Sequence, residues 1–268
     1  MIKEEIKIFF TSIMFYTRIP CPSYIDHSDE YLNKASRYFP LVGIIVGAIS
    51  FIFFWISNQI FNIHISIIIS IAAGILITGA FHEDGLADTF DGFGGGWTRE
   101  KILEIMKDSR IGTYGTISLF VLVILKIFTF SSLVMEIQSN FTNKSDLIIL
   151  LIFITYHSIS RLTAISIVFT SDYSRDNEIG KSKPVAKTNT NIEILIAYFW
   201  GILPLLGLIY LIPEFILVIS LLIFFFFYSS RYFKKHIGGY TGDTLGAVEQ
   251  LSEIICLLTF LGLTIFFI

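Results

Sequence analysis

Seven long apolar runs set what this chain can become. They fall at roughly 40–61, 63–81, 111–135, 147–169, 191–212, 214–230 and 250–268. Each is close to the roughly 20 residues an α-helix needs to cross the hydrocarbon core of a bilayer. The pattern predicts an all-α, polytopic membrane protein with about seven spans, six and eight being the neighbouring counts. Of the 268 residues, 54% are hydrophobic and 15% charged, with a mean hydropathy of +0.72; a soluble domain carries about 25% charged residues. Only Pro213-Glu214 separates the fifth and sixth runs, which makes them either a tight hairpin or one re-entrant unit. No linker, repeat or second domain is visible, so residues 1–268 read as one integral membrane domain.

The first twenty residues do not read as a signal peptide. Lys3, Glu4, Glu5 and Lys7 interrupt them, and Pro20-Cys21-Pro22 is no small-residue cleavage site. Ile6, Phe9, Phe10, Ile13 and Met14 read instead as the apolar face of an interfacial helix. Cys21 and Cys256 stand far apart and form no metal-ligand pattern.

Basic residues sort between the loops. Sixteen of the nineteen lie in the N-terminal segment or near 82–110, 171–190 and 231–249, while the opposite loops hold only Lys144. The positive-inside rule puts the rich loops in the cytoplasm. Three loops can then converge at one membrane edge: the acidic 82–110 loop, the 171–190 loop, and the Gly238–Gly246 loop.

The acidic loop carries the chemistry. Asp84, Asp88 and Asp91 are spaced i, i+4, i+7 and share one face of a helix. Like charges this close repel one another and resist desolvation. A divalent cation is the simplest partner, because hard cations prefer carboxylate oxygens; one or two Mg²⁺ would leave positions for substrate phosphates. Glu83 and His82 stand beside the stripe, and the glycines at 85, 92, 94, 95 and 96 permit close approach of a bulky ligand. The plainer alternative is a solvated helix end whose acids favour the dipole, which needs neither three acids on one stripe nor a glycine run.

The other candidates are weaker alone. His82 is a base or a satisfied interfacial residue. Glu100, Lys101, Glu104 and, on spacing alone, Lys107 read as helix-surface charges. Asp108-Ser109-Arg110 abuts the next span and is either functional or a loop-to-helix transition. Arg161 lies inside a span, where arginine usually faces the bundle interior toward phosphate or an acid, unless it snorkels. Lys126 lies deep in its span, where an acid could pair with it. Asp243, bracketed by Gly and Thr, is a further ligand candidate or part of a simple turn.

Three segments resemble the cobalamin synthase family, the adenosylcobinamide-GDP ribazoletransferases. They are His82-x-Asp84-Gly85-Leu86-Ala87-Asp88-x-x-Asp91-Gly92, Glu104-Ile105-Met106-Lys107-Asp108-Ser109-Arg110-Ile111-Gly112, and Thr241-Gly242-Asp243-Thr244-Leu245-Gly246-Ala247. Thr17-Arg18-Ile19-Pro20, Phe39-Pro40-Leu41-Val42-Gly43 and Ser160-Arg161 also match that pattern. Gln250 stands where the family pattern often has glutamate, and it is left out of the site. The resemblance implies a Mg²⁺-dependent enzyme of the cytoplasmic (inner) membrane with its active site facing the cytoplasm. It would join adenosylcobinamide-GDP to α-ribazole, or its 5′-phosphate, and release GMP. The site expected is Asp84, Asp88, Asp91 and Glu83 for metal, His82, Asp108 and Arg110 for catalysis, and Arg161, Asp243 and Lys107 for substrate. No nucleic-acid partner is expected, and a homo-oligomer is compatible with the pattern. The competing readings are another Mg²⁺-dependent membrane transferase of nucleotide-activated alcohols or prenyl diphosphates, and a cation-coupled transporter. The transporter would place its acids at mid-membrane on broken helices.

Overall fold

The protein, seen in a computed structural model, is described at residues 2–22, 25, 28–175 and 190–267. Lys181, Lys183 and Lys187, which contributed to the predicted orientation, lie outside the described residues. The described chain forms α1 (Ile2–Tyr16), α2 (Asp29–Ala35), α3 (Phe39–Ser57), α4 (Ile63–Thr78), α5 (Phe81–Gly95) and α6 (Arg99–Ile105). It continues as α7 (Thr113–Asn140), α8 (Ser145–Thr170), α9 (Asn191–Leu211), α10 (Val218–Ile237) and α11 (Gly242–Phe267). Short 3₁₀ turns cover Ser36–Tyr38 and Pro213–Leu217. Six of these helical segments are long and apolar enough to cross a membrane, and the bent pair α4–α5 makes a seventh if counted as one span.

The sequence runs and the helices differ at three places. The run 63–81 does not continue straight: α4 ends at Thr78, and α5 leaves at 88°. The break is made by Gly79 (φ 69) and Ala80 (φ 58). Glycine takes this left-handed conformation freely, whereas Ala80 holds it at a cost of about 1–2 kcal/mol. Second, the loop expected over 82–110 is two helices, α5 and α6. Third, the loop expected over 231–249 shrinks, because α10 runs to Ile237 and α11 starts at Gly242. The Pro213–Leu217 turn joins two separate helices, which diverge around a cleft floored by Ile159 and Leu162 of α8.

Helix α8 is the bundle's centre. Nearly every residue from Thr155 to Val168 is buried. Gly43 and Gly47, one turn apart on α3, let its backbone approach His157 and Phe153 of α8 more closely than a Cβ would allow. This is the small-residue packing that membrane helices use when hydrophobicity alone gives no reason to associate. Two large apolar clusters result, beside a small third one of Leu86, Leu122, Ala247 and Ile254. One gathers Phe130, Phe153, Leu208, Phe215 and Phe260; the other gathers Tyr16, Phe39, Ile102, Leu162, Ile165 and Ile237. Outward-facing side chains such as Leu76, Phe224 and Phe266 are exposed, as a lipid-facing surface requires. Helix α1 packs more deeply than an interfacial helix would. Ile8, Thr11, Ser12, Ile13 and Tyr16 are buried, while Ile6, assigned to its apolar face, is exposed.

Candidate active site on helices α5 and α11

Helix α11 starts on a reciprocal cap. Thr241 N–H donates to Thr244 Oγ1 at 2.8 Å, and Thr244 N–H donates to Thr241 Oγ1 at 3.2 Å. Two of the donors that a helix start leaves unpaired are thereby satisfied, and Asp243 is fixed in the first turn. Helix α5 crosses this turn backbone to backbone. A Cβ on Gly85 would lie 2.8 Å from the Asp243 carbonyl oxygen, and one on Gly246 would lie 3.0 Å from that of His82. The crossing brings Asp84, Asp88 and Asp243, from two motifs about 155 residues apart in sequence, near enough for their charges to act on one another. Asp84 is exposed and the other two are half-buried. The group whose ligand atoms lie within 4.8 Å of one another among the described residues is instead the buried His157, Glu249 and Glu253.

The electrostatics record how crowded the acids are. Burial, then the negative charges of Asp243, Asp84 and Asp91, push the Asp88 carboxyl up to about 7. The cation beside it is Arg175, whose Nη2 lies 3.0 Å from Asp243 Oδ2. Carboxylates gathered on one side in this way are the donor type that a hard divalent cation prefers.

Asp91 has a different place from its stripe-mates. Its carboxylate accepts hydrogen bonds from Gly112 N–H at 2.6 Å and Gly115 N–H at 2.9 Å. It therefore caps the N-terminus of α7 from a neighbouring helix, where the dipole favours an anion. A Cβ on either glycine would collide with the carboxylate.

Asp108 and Arg110 form an exposed pair, with Arg110 Nη2 donating to Asp108 Oδ2 at 2.6 Å. The Arg110 guanidinium holds the Asp108 carboxyl down, at about 2, so Asp108 stays ionised and orients the arginine rather than accepting a proton at neutral pH. Lys107 is exposed on the same loop.

His82, Glu83 and Arg161 face the other way, into the bundle. Arg161 Nη1 lies 2.7 Å from Glu249 Oε1, and the whole side chain is buried. Glu253 accepts from Lys126 Nζ at 2.6 Å and lies 2.6 Å from His157 Nδ1. Gln250 receives Lys126 Nζ at 2.6 Å and donates to Glu83 at 3.1 Å. The buried His82 ring lies 4.0 Å from Glu249 and has no hydrogen-bond partner among the described residues. The acidic partner for Lys126 is thus Glu253. Arg161's ion-pair partners are glutamates rather than the surface acids, and His82 stands on the face of α5 opposite the acid stripe. These placements put His82 and Arg161 in a supporting layer behind the site. The sequence reading did not single out His157, Glu249, Glu253 or Arg175.

A helical bundle of six or seven candidate spans, with acids clustered at a helix crossing, defines a polytopic membrane protein with an acidic site. The chain belongs to the cobalamin-5-phosphate synthase family, whose pattern it matches over residues 8–261. It is similar to proteins named adenosylcobinamide-GDP ribazoletransferase. In Shewanella frigidimarina the identity is 42% over 259 residues, covering 97% of this chain and 95% of that protein. In Shewanella oneidensis it is 42% over 256 residues, covering 94% and 93%. No solved structure matches the chain.

Proposed function

We propose that this chain transfers the adenosylcobinamide phosphate of adenosylcobinamide-GDP to α-ribazole or its 5′-phosphate, with the Asp84–Asp88–Asp243 crossing as its active site. The observation that carries the reading is the Gly85–Gly246 contact, which brings acids of two separate family motifs together. A ribose hydroxyl oxygen that is free in both acceptors, the 3′-hydroxyl rather than the 5′, forms a bond to the phosphorus attached to cobinamide. The bond from that phosphorus to the bridging oxygen breaks, and GMP leaves with the electron pair. The hydroxyl proton would pass to a carboxylate oxygen of the trio that is not holding the ion; His82 is buried behind the helix.

Asp84, Asp88 and Asp243 would hold Mg²⁺. The ion would supply positive charge to a diphosphate whose leaving group becomes more negative. Asp91 holds the start of α7 against α5, and with it the Lys107–Gly112 loop that presents Arg110. The guanidinium fork of Arg110 matches phosphate oxygens. Positive loops on the α5 side support a cytoplasmic orientation in the inner membrane, where soluble nucleotide substrates are found.

The test is GMP release by purified protein given adenosylcobinamide-GDP, α-ribazole and Mg²⁺. Asp84→Asn and Asp243→Asn should each lower turnover by at least about two orders of magnitude, the usual scale for a key electrostatic group. Near-normal turnover in both, in folded protein, would remove the crossing as the active site.

A further inference from the structure

Arg175 sits at the acid crossing, yet nothing among the described residues uses its full guanidinium. Its side chain is 9% exposed, and Nη2 reaches one oxygen of Asp243 at 3.0 Å. Its Nε is buried and has no hydrogen-bond partner among the described residues. The segment carrying it is held by other atoms. Tyr240 N–H donates to Asp172 O at 3.0 Å, and Ser174 N–H donates to Tyr240 O at 2.8 Å. Arg99 Nη2 donates to Ser174 O at 2.7 Å, and the Ser174 hydroxyl donates to Ile237 O. The backbone at 172–174 is therefore docked on the start of α11 without help from the Arg175 side chain.

An arginine fork binds best when two parallel N–H groups meet two oxygens of one anion. Among the described residues one nitrogen meets one carboxylate oxygen that also accepts from Thr241 Oγ1 at 3.3 Å, and Nε is left over. A buried donor without an acceptor is costly. An anion arriving with several oxygens would satisfy it, and a cation arriving at Asp243 would release Nη2 to join in.

We infer that Arg175 is a substrate-binding residue that changes partner. In the ligand-free protein its guanidinium stands in for a cation beside Asp243. In the loaded protein it takes oxygens of the substrate's diphosphate. This rests on the reading of Asp84, Asp88 and Asp243 as the metal and diphosphate site.

The exchange makes two effects of opposite sign. Arg175 competes with a metal ion for Asp243, so its removal tightens metal binding. It also binds the diphosphate, so its removal weakens diphosphate binding. An arginine that merely braced the loop would, once removed, weaken both.

Mn²⁺ binding, read by electron paramagnetic resonance on detergent-solubilised protein, and GDP binding at saturating Mn²⁺, read by calorimetry, separate the cases. Arg175→Gln should bind Mn²⁺ a few-fold more tightly, the scale of a partly exposed ion pair, and GDP about tenfold or more weakly, the scale of a charge-assisted hydrogen bond. Arg175→Lys keeps the charge and loses the fork. It should bind Mn²⁺ as the parent does and GDP more weakly. Unchanged or weaker Mn²⁺ binding in Arg175→Gln, or parental GDP binding in Arg175→Lys, overturns the inference. If Arg175→Gln does not give folded protein, GDP binding by Arg175→Lys decides alone. Asp243→Asn separates the layers: if it binds Mn²⁺ as the parent does, the site reading itself fails, and if it loses Mn²⁺ while Arg175→Gln behaves as the parent, only the role of Arg175 fails.

Discussion

Replacing Asp88 with asparagine should make the metal-free protein more stable while nearly abolishing its activity. Asparagine keeps the volume and removes one of the mutually repelling charges. The Asp88 carboxyl is displaced from an ordinary 3.8 to about 7. In a dry site that displacement corresponds to about 4 kcal/mol. Asp88 is half exposed, and solvent screening reduces the figure to about 1–2 kcal/mol.

The sign follows from proton binding. The folded protein holds this proton more tightly than the unfolded chain, so the contribution of Asp88 to stability is fully present below about pH 4 and is lost as pH rises through about 7. The variant has no such group. The two proteins should therefore match near pH 4, and at pH 8 the variant should be the more stable by about 1–2 kcal/mol. For a chain of this size that is about 2–8 °C in melting temperature. The assay is thermal unfolding in detergent with a chelator, across that pH range, followed by Mg²⁺ addition. Mg²⁺ should raise the wild-type melting temperature more than the variant's, because only a state that binds the ion gains from it. A variant less stable than wild type at pH 8 would refute the reasoning, as would a difference that does not change with pH.

Asp243→Asn should raise the Mg²⁺ concentration needed for half-maximal GMP release, and its combination with Asp88→Asn should be non-additive, because groups that act as a unit share one loss. In intact cells a cysteine placed at Gly95 should resist impermeant thiol reagents, whereas one at Thr142 should react; labelling at 95 from outside would reverse the proposed orientation. Gly112→Ala should lower melting temperature and activity together, since its methyl meets the Asp91 carboxylate that caps α7; parental stability would show that the cap is dispensable. Glu249→Leu should destabilise by about 3–5 kcal/mol by leaving Arg161 buried without its nearest carboxylate, with partial recovery in the double variant with Arg161→Met; thermal unfolding of both measures this.

The apolar runs made the helical bundle legible because spans must be long and continuous to satisfy their own backbone in lipid. The bend at Gly79-Ala80 was not legible, since both residues also occur within straight membrane helices and only the tertiary fit selects the left-handed conformation. The acid stripe was visible through its helical spacing, but the division of labour within it was not. Asp91 is drawn to α7 by two backbone N–H groups, and no side-chain pattern announces a cap supplied from another helix. Arg175 was hidden among loop bases that a charge count treats alike. One signal was present and unread. His157 and Arg161 on α8, and Glu249 and Glu253 on α11, are i, i+4 pairs of opposite character inside apolar surroundings, and complementary pairs of that kind point to each other across a bundle.

That inner layer bears directly on the outer site. Lys126 of α7, His157 and Arg161 of α8, and Glu249, Gln250 and Glu253 of α11 meet one another in the bundle interior. Helix α5 is short and turned across the others, so apolar burial on one face is limited mainly to Leu86 and Ala87. Its inner face supplies Glu83 to this layer through Gln250, while its outer face supplies Asp84 and Asp88. Helix α11 is built the same way, with Asp243 outside and Glu249, Gln250 and Glu253 inside. The Gly85–Gly246 contact is then a crossing fixed from beneath by directional hydrogen bonds, which resist rotation of either helix in a way that apolar packing does not. Rotation of α5 by one residue would carry Asp88 away from Asp243 and bury an acid in its place. The buried charges therefore have a positional consequence even if their net contribution to stability is small: they set the register in which two motifs from opposite ends of the chain present their carboxylates to one ligand.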